Sequence, residues 1–384
     1  MMSTKSRLMT SRIPNTTAAM SQKIAADTCA SLGSAYGLDP VEGNGLCCGS
    51  ARSRRCRRGL PRVSGRWSVD ASLNPMDVYV PGRGMRNPHL QTTRSRLLPP
   101  RVRLPEPELV LVDMPDGSGD RLAVLVNEGD PDKPLVLVVH GLGGSAESDY
   151  VRYLTAGLLE AGFPVGRIDL RGAGTGEYAG GMYHGGKTED VRAVIEHFGR
   201  PVAVVGFSLG GNLAVKLLGE HTDHVVAGVA VSAPLDLAVS VEHLHHMAGG
   251  LYEKFLVHRL RKEALRRGAR YTPEERVGIT KARGLVEFDN ALTAPRHGWR
   301  DAAEYYAVNS SIDYLDKVTV PLLLIHAKDD PMVPFGPYMS VDWDALPTTR
   351  LILTDHGGHV GFHRRGSAPY YVGVAVDFLQ EVVG

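Results

Sequence analysis

The sequence predicts an α/β fold: a mostly parallel central sheet flanked by helices, interrupted by one helical insertion. Three observations carry that expectation. Short continuous apolar runs, "PLVLVVH" at 134–140 and "PVAVVGF" at 201–207 among them, have the length and composition of strands buried on both faces. Segments with helical spacing separate these runs, and a strand–helix–strand–helix alternation implies a parallel sheet with right-handed crossovers. Between the runs at 224–234 and 320–330 lie roughly 85 residues rich in histidine, arginine and aromatics, far more than a simple crossover needs.

Composition narrows the classes available. The chain has 384 residues, enough for one large domain with an insertion or for two ordinary domains. With 43% hydrophobic and 22% charged residues it can bury a sizeable core, and a formal net charge of +1 gives no reason to expect a nucleic-acid partner. The most apolar window, Val225 to Val241, contains Pro234 and Asp236, so no transmembrane segment is expected and the protein reads as soluble. All four cysteines, Cys29, Cys47, Cys48 and Cys56, precede residue 57 and lack the C-x-x-C spacing of a zinc site. A reducing, cytoplasmic location fits the cysteine-free remainder of the chain.

The elements follow in order. Residues 1–75 are small, polar and arginine-rich, with "ARSRRCRRGLPR" at 51–62 as the extreme, and show no sustained period. They read as a disordered or non-native extension ahead of Met76; a transit peptide, which would make the location organellar, and a nucleic-acid arm are the weaker alternatives. "ELVLVDM" and "RLAVLVN" flank the turn-rich "PDGSGD" as an antiparallel hairpin. After the strand at 134–140 come a helix over roughly 146–161, the strand "FPVGRIDL" (163–170), the glycine-rich loop "RGAGTGE" and a helix from near Thr188, whose Glu189 and Asp190 suit a helix N-terminus. The strand at 201–207 leads into the helical "LGGNLAVKLLG", and "HVVAGVAVSAP" (224–234) is the next strand. A helical lid over about 236–316 follows, then the strands "VPLLLIHAKDD" (320–330) and "TRLILTD" (349–355), the loop "HGGHVGF" and a last helix through "YYVGVAVDFLQEVV".

Chemistry concentrates in the loops. Gly206-Phe207-Ser208-Leu209-Gly210 fits G-x-S-x-G between a buried strand and a helix, where a sharp turn holds the serine exposed and small neighbours let backbones approach closely. A hydroxyl needs a base to take its proton and an acid to orient that base. Both are present at later strand ends, in the order Ser, Asp, His. The spacing before "PMVP" favours Asp330 over Asp329 as the acid, and the glycine pair before the second histidine favours His359 over His356 as the base. Taken singly, these residues read as capping aspartates and solvated loop histidines; three loops delivering nucleophile, acid and base in the required order outweigh that. "HGLGGSAESDY" after the 134–140 strand would present the Leu142 backbone N–H, paired with that of Leu209, to a developing oxyanion. Its glycines match neither G-x-G-x-x-G nor the P-loop pattern, so a phosphate-binding reading is rejected.

The stretches "RNPHLQT" (86–92), "HGLGGSAESDY" (140–150), "YHGGKTEDVR" (183–192), "GFSLGGN" (206–212), "VEFDNALTAPRHGWRDAAEYY" (286–306), "HAKDDPMVP" (326–334) and "HGGHVGF" (356–362) together resemble the YheT-like branch of α/β-hydrolases, related to the abhydrolase-domain esterases. The resemblance covers about four fifths of the chain, from near residue 76. It implies the α/β-hydrolase fold and a triad of Ser208, Asp330 and His359. The hydrophobic N-terminal anchor of many eukaryotic relatives is not matched.

The expected function is a serine hydrolase that cleaves small-molecule esters or lipids with apolar acyl chains through an acyl-enzyme, without metal or other cofactor. Acyl transfer by the same triad, or a silent ligand-binding module on the same fold, are the alternatives. Tyr252, Phe255, Trp299 and Tyr305 are candidates for an apolar acyl pocket. "HLHH" (243–246) lacks a carboxylate at ligand spacing and reads as non-metal, and "RLRKEALRRG" (259–268) reads as a solvated basic helix face. No histidine has an aspartate five positions on, so an H-x-x-x-x-D acyltransferase motif is missing. Neither oligomeric state nor acyl-chain length can be read from the sequence.

Overall fold

The computed structural model describes residues 79–384 apart from 83, 98–101, 175–176, 267–268 and 365–367. The expectations for residues 1–75, all four cysteines, and parts of the 171–177 loop and the 259–268 basic stretch therefore lie outside the described residues.

A helix α1, Pro88–Leu97, precedes the sheet. The hairpin is present as β1, Glu108–Asp113, paired antiparallel with β2, Arg121–Asn127. The chain continues through β3 (Leu135–Val139), α2 (Asp149–Glu160), β4 (Val165–Asp169), α3 (Thr188–Phe198), β5 (Val202–Phe207), α4 (Leu209–Gly219) and β6 (Val225–Val231). After the insertion come β7 (Leu322–Ala327), β8 (Thr349–Thr354) and α9 (Tyr370–Val383); the helices of the insertion are named below. The strands form one eight-stranded sheet in the order β1-β2-β4-β3-β5-β6-β7-β8. Only the β1–β2 and β2–β4 pairs are antiparallel. From β4 to β8 every neighbour runs parallel, so the carboxyl ends of β3, β5, β7 and β8 lie along one edge of the sheet.

Alternation along the buried strands sorts their side chains to two faces. Leu137, Val139, Val202 and Val204 join Val191, Val194 and Ile195 of α3 and Leu213 and Leu217 of α4. The interleaved Val136, Val138, Val205 and Phe207 join Val151, Leu154 and Leu158 of α2 and Tyr371, Phe378 and Leu379 of α9. Two helix layers thus sandwich the sheet, and the uninterrupted apolar runs follow from burial on both faces. Helix starts obey local chemistry where it is offered: Thr188 is followed by Glu189 and Asp190 in the first turn of α3, and α3 stops at Gly199 in the left-handed region (φ 56°).

The insertion between β6 and β7 is helical. It comprises α5 (Leu237–His246), α6 (Leu251–Ala264), α7 (Pro273–Lys281), a run formed by Leu285–Phe288, Asp289–Thr293 and Ala294–Arg296, and α8 (Ala302–Asn309). A capping box of Thr272 and Glu275 starts α7. The insertion has its own apolar cluster, with Leu256, Val257, Leu260, Ile279, Leu285 and Phe288 buried together. The basic stretch on α6 corrects the expectation of a solvated face: Arg259 bonds the Gly143 carbonyl, Arg261 the Ala282 carbonyl at 2.6 Å and Arg266 the Gly181 carbonyl at 3.0 Å. These guanidinium groups tie the insertion to loops of the core and to itself. Among the described residues no helix is long and apolar enough to cross a membrane.

Candidate active site

Ser208 sits between the end of β5 and the start of α4 with φ 51° and ψ −122°, a positive-φ backbone conformation that costs a non-glycine residue about 1–3 kcal/mol. The flanking glycines explain how the turn closes. A Cβ on Gly206 would run into the Gly210 carbonyl, and one on Gly210 would run into the carbonyls of Val139 and His140. Gly141 approaches from β3, where a Cβ would lie 2.9 Å from the Ser208 Cβ. Each position thus requires hydrogen in place of a side chain.

The three predicted residues meet. His359 Nε2 lies 2.9 Å from Ser208 Oγ, and His359 Nδ1 lies 2.9 Å from Asp330 Oδ2. The Asp330 side chain has no exposed surface and that of His359 is 9% exposed. The second carboxylate oxygen, Asp330 Oδ1, accepts the N–H groups of Met332 at 2.8 Å and Val333 at 3.0 Å. Burial alone would raise this carboxyl, but the adjacent His359 and the backbone donors hold it below the usual aspartate range. His326, buried nearby and stacked on Tyr338 with ring centroids 4.2 Å apart, is pushed down to about 4 by burial, so it stays neutral and leaves the Asp330 charge to His359.

The residues set aside as alternatives form a second pair. Asp329 Oδ2 lies 3.1 Å from His356 Nδ1, and Asp329 Oδ1 accepts the Gly358 N–H at 2.9 Å. Neither bonds Ser208.

The loop after β3 is fixed by two phenols. Gly141 N–H donates to Tyr150 Oη at 3.0 Å and Gly143 N–H to Tyr183 Oη at 2.6 Å. Among the described residues the Leu142 N–H between them has no acceptor, and neither has the Leu209 N–H at the head of α4. Burial pushes the His140 imidazole down, and its Nε2 accepts the Leu170 N–H at 3.2 Å.

Around this centre the insertion is bonded to the core. Asn212 of α4 donates to the carbonyls of Gly185 and Asn309, both at 2.9 Å, and accepts the Ser311 N–H at 2.9 Å. Tyr305 Oη accepts the Gly185 N–H at 2.9 Å and stacks beside Trp299, so these two aromatics serve the joint between insertion and core. Tyr252 meets His89 of α1, its Oη 2.8 Å from Nδ1, and burial and the Asp330 charge both push its phenol up. Phe255 is 38% exposed. The histidine-rich 243–246 segment has a carboxylate neighbour after all: His245 Nδ1 lies 2.9 Å from Glu253, eight residues on and in the next helix, which spacing within the motif could not reveal. Among the described residues no group of three or more histidine, cysteine or acidic side chains could hold a metal. A separate cavity of about 330 Å³, lined by Arg171, Lys187, Arg270 and Arg296 with Asp116 and Asp120, contains none of the three residues and has its arginines matched by acidic partners.

Several participants were missed in the sequence. Tyr150 and Tyr183 belong to motifs singled out above, but nothing in their spacing announces an acceptor for a glycine amide. Gln91, Thr92 and Ser232 touch the histidine loop from 128 or more residues away along the chain, and no local signal points to that.

Residues 134–365 match the family model for the alpha/beta hydrolase fold. The chain is 35% identical over 296 residues to YheT of Escherichia coli (strain K12), covering 74% of this chain and 86% of that protein. It is 29% identical over 270 residues to the monoacylglycerol lipase of Saccharomyces cerevisiae, covering 65% of this chain and 60% of the lipase. Among solved structures, the esterase Pf2001 of Pyrococcus furiosus is similar in fold, with a TM-score of 0.51 at 21% identity over 74% of this chain and 98% of that one.

Proposed function

Because the chain belongs to the alpha/beta hydrolase family, we propose that it is a serine hydrolase of carboxylic esters with apolar acyl chains, working through an acyl-enzyme on Ser208. The observation that carries the reading is the continuous relay Asp330–His359–Ser208, with both contacts at 2.9 Å. His359 Nε2 takes the Ser208 proton as Oγ attacks the ester carbonyl, while the ionised Asp330 accepts from Nδ1–H and so fixes the tautomer that leaves Nε2 free as base. The oxyanion is held by the Leu142 and Leu209 N–H groups, each free of a protein acceptor among the described residues. Collapse breaks the bond to the leaving alkoxide, which takes the proton from imidazolium. Water then repeats the sequence on the acyl-enzyme, releasing the acid and restoring Ser208.

The names of the relatives support an ester or lipid substrate, since one is a monoacylglycerol lipase. The insertion, about 236–316, is proposed as the lid of this site, a role supported by its bonds to the loops at Gly143 and Gly185 and to Asn212 of α4. Hydrolysis of a p-nitrophenyl ester series from acetate to palmitate tests the reading. Wild type is expected to turn over at least one member and to label stoichiometrically with a fluorophosphonate, and Ser208→Ala to lose both while keeping its melting temperature. Substantial esterase activity in the folded Ser208→Ala protein would refute it.

A further inference from the structure

The loop that carries His359 is conformationally unusual. Gly358, Val360 and Phe362 have φ of 58°, 56° and 46°, so two side-chain-bearing residues sit in the left-handed region that bulky residues avoid. Such a loop does not hold itself, and four of its main-chain amides are accepted from outside it. Asp329 takes the Gly358 N–H at 2.9 Å and Ser232 Oγ the Val360 N–H at 3.1 Å. The other two acceptors come from α1, far upstream: Thr92 Oγ1 takes the N–H of His359 itself at 2.9 Å, and Gln91 Oε1 takes the His363 N–H at 2.7 Å.

Helix α1 is built for this contact. Gln91 is fully buried, and its Nε2 donates to Tyr79 Oη at 2.8 Å and to the Met85 carbonyl at 2.7 Å, which leaves Oε1 aimed at the loop. The Thr92 hydroxyl spends its proton on the Pro88 carbonyl at 2.8 Å, so toward His359 it can act only as acceptor. Two loop glycines make the approach possible, because a Cβ on Gly358 would lie 2.8 Å from the Gln91 Cβ and one on Gly361 2.5 Å from the Gln91 carbonyl oxygen. The "RNPHLQT" segment thus supplies a polar ledge under the residue that touches Ser208.

We infer that Thr92 is a positioning residue for the base: by accepting the His359 main-chain N–H it sets the imidazole between Ser208 and Asp330. This rests on the proposed triad. The bond lies one residue's backbone away from the reacting imidazole, so its loss displaces the base without touching substrate, and a displacement near 1 Å at such a group costs on the order of 100-fold in rate.

The test compares Thr92→Val, which keeps the shape and removes the acceptor, with Thr92→Ser, which keeps the hydroxyl. Thr93→Val is the control, since Thr93 makes the same helical bond to the His89 carbonyl at 2.7 Å and, among the described residues, no hydrogen bond to the loop. The readouts are kcat and KM on the p-nitrophenyl ester that wild type cleaves fastest, the rate of fluorophosphonate labelling, and the melting temperature. Thr92→Val should lose about tenfold or more in kcat and in labelling rate with KM within twofold, while Thr92→Ser and Thr93→Val stay near wild type. If Thr92→Val does not fold, Thr92→Ala, with the best helix former, carries the same test. Wild-type kcat in Thr92→Val, equal losses in Thr92→Val and Thr93→Val, or no recovery in Thr92→Ser would each overturn the inference. A wild-type protein that neither turns over esters nor labels at Ser208 would instead overturn the triad on which it rests.

Discussion

At the scale of single residues, two adjacent aspartates face two histidines of one loop, and their hydrogen bonds assign them different work. Asp330 Oδ1 is occupied by the Met332 and Val333 amides and Oδ2 by His359. In Asp330→Asn the amide oxygen must stay with those backbone donors, so the new NH₂ would point at His359 Nδ1 and force the proton onto Nε2. The imidazole would then have no lone pair for Ser208, and kcat should fall by about 10³–10⁴-fold with the fold intact. Asp329 follows the same geometry with another outcome. In Asp329→Asn the oxygen keeps the Gly358 N–H and the NH₂ turns to His356, a ring without a bond to Ser208, so kcat should stay within about tenfold of wild type. Steady-state kinetics on both variants decide the matter, and a reversed order of the two losses would move the acid to Asp329.

Among the elements, α6 is the one whose attachment should respond to pH. Arg259 bonds the Gly143 carbonyl, and Glu263 one turn on accepts from Tyr183 Oη at 3.3 Å, the same phenol that receives the Gly143 N–H. Burial pushes the Glu263 carboxyl up from 4.5 to about 7, outweighing Arg259 and the Tyr183 hydroxyl, which favour the charge. The sign follows from linkage: the folded protein keeps this proton to about pH 7 whereas the unfolded chain loses it near 4.5, so the folded state is favoured most below 4.5 and loses that contribution as pH rises to about 7. The effect is of order 1–3 kcal/mol, since a tenfold change in proton affinity is worth about 1.4 kcal/mol and partial exposure reduces it. Asp289, raised to about 6 by burial, adds a similar slope, so the comparison must be between proteins rather than between pH values alone. Glu263→Gln should therefore show a melting temperature that falls less than that of wild type from pH 5 to pH 8, and should be the more stable of the two at pH 8. Parallel profiles would mean that Glu263 is ionised throughout.

Across the whole molecule, what the sequence made legible was whatever repeats locally. Strands buried on both faces read as unbroken apolar runs, crossover helices as 3.6-residue spacing, and Ser208 as a serine between glycines that a sharp turn demands. The meeting of Asp330 and His359 with Ser208 was legible because each follows a strand, in the order that the proposed chemistry requires. The inward turn of Arg259, Arg261 and Arg266, the His245–Glu253 pair and the ledge of Gln91 and Thr92 were not, because each depends on which surfaces the insertion and α1 meet once folded. That ledge makes α1 part of the proposed catalytic unit. Tyr79 adds to it: its Oη donates to the His363 carbonyl at 3.2 Å and accepts from Gln91. A chain starting at Met76 keeps Tyr79, α1 and every contact described for the site, and its kcat/KM on the p-nitrophenyl ester series should match that of the full chain. A chain starting at Val102 keeps the whole sheet and all three residues of the proposed triad but loses Tyr79, Gln91 and Thr92 together. It should bind fluorophosphonate at least tenfold more slowly than the longer chains, with circular dichroism reporting whether the sheet survives. A folded short chain that labels at the full rate would show that Ser232 and Asp329 suffice to hold His359, and a loss already at Met76 would place a needed contact upstream of Tyr79.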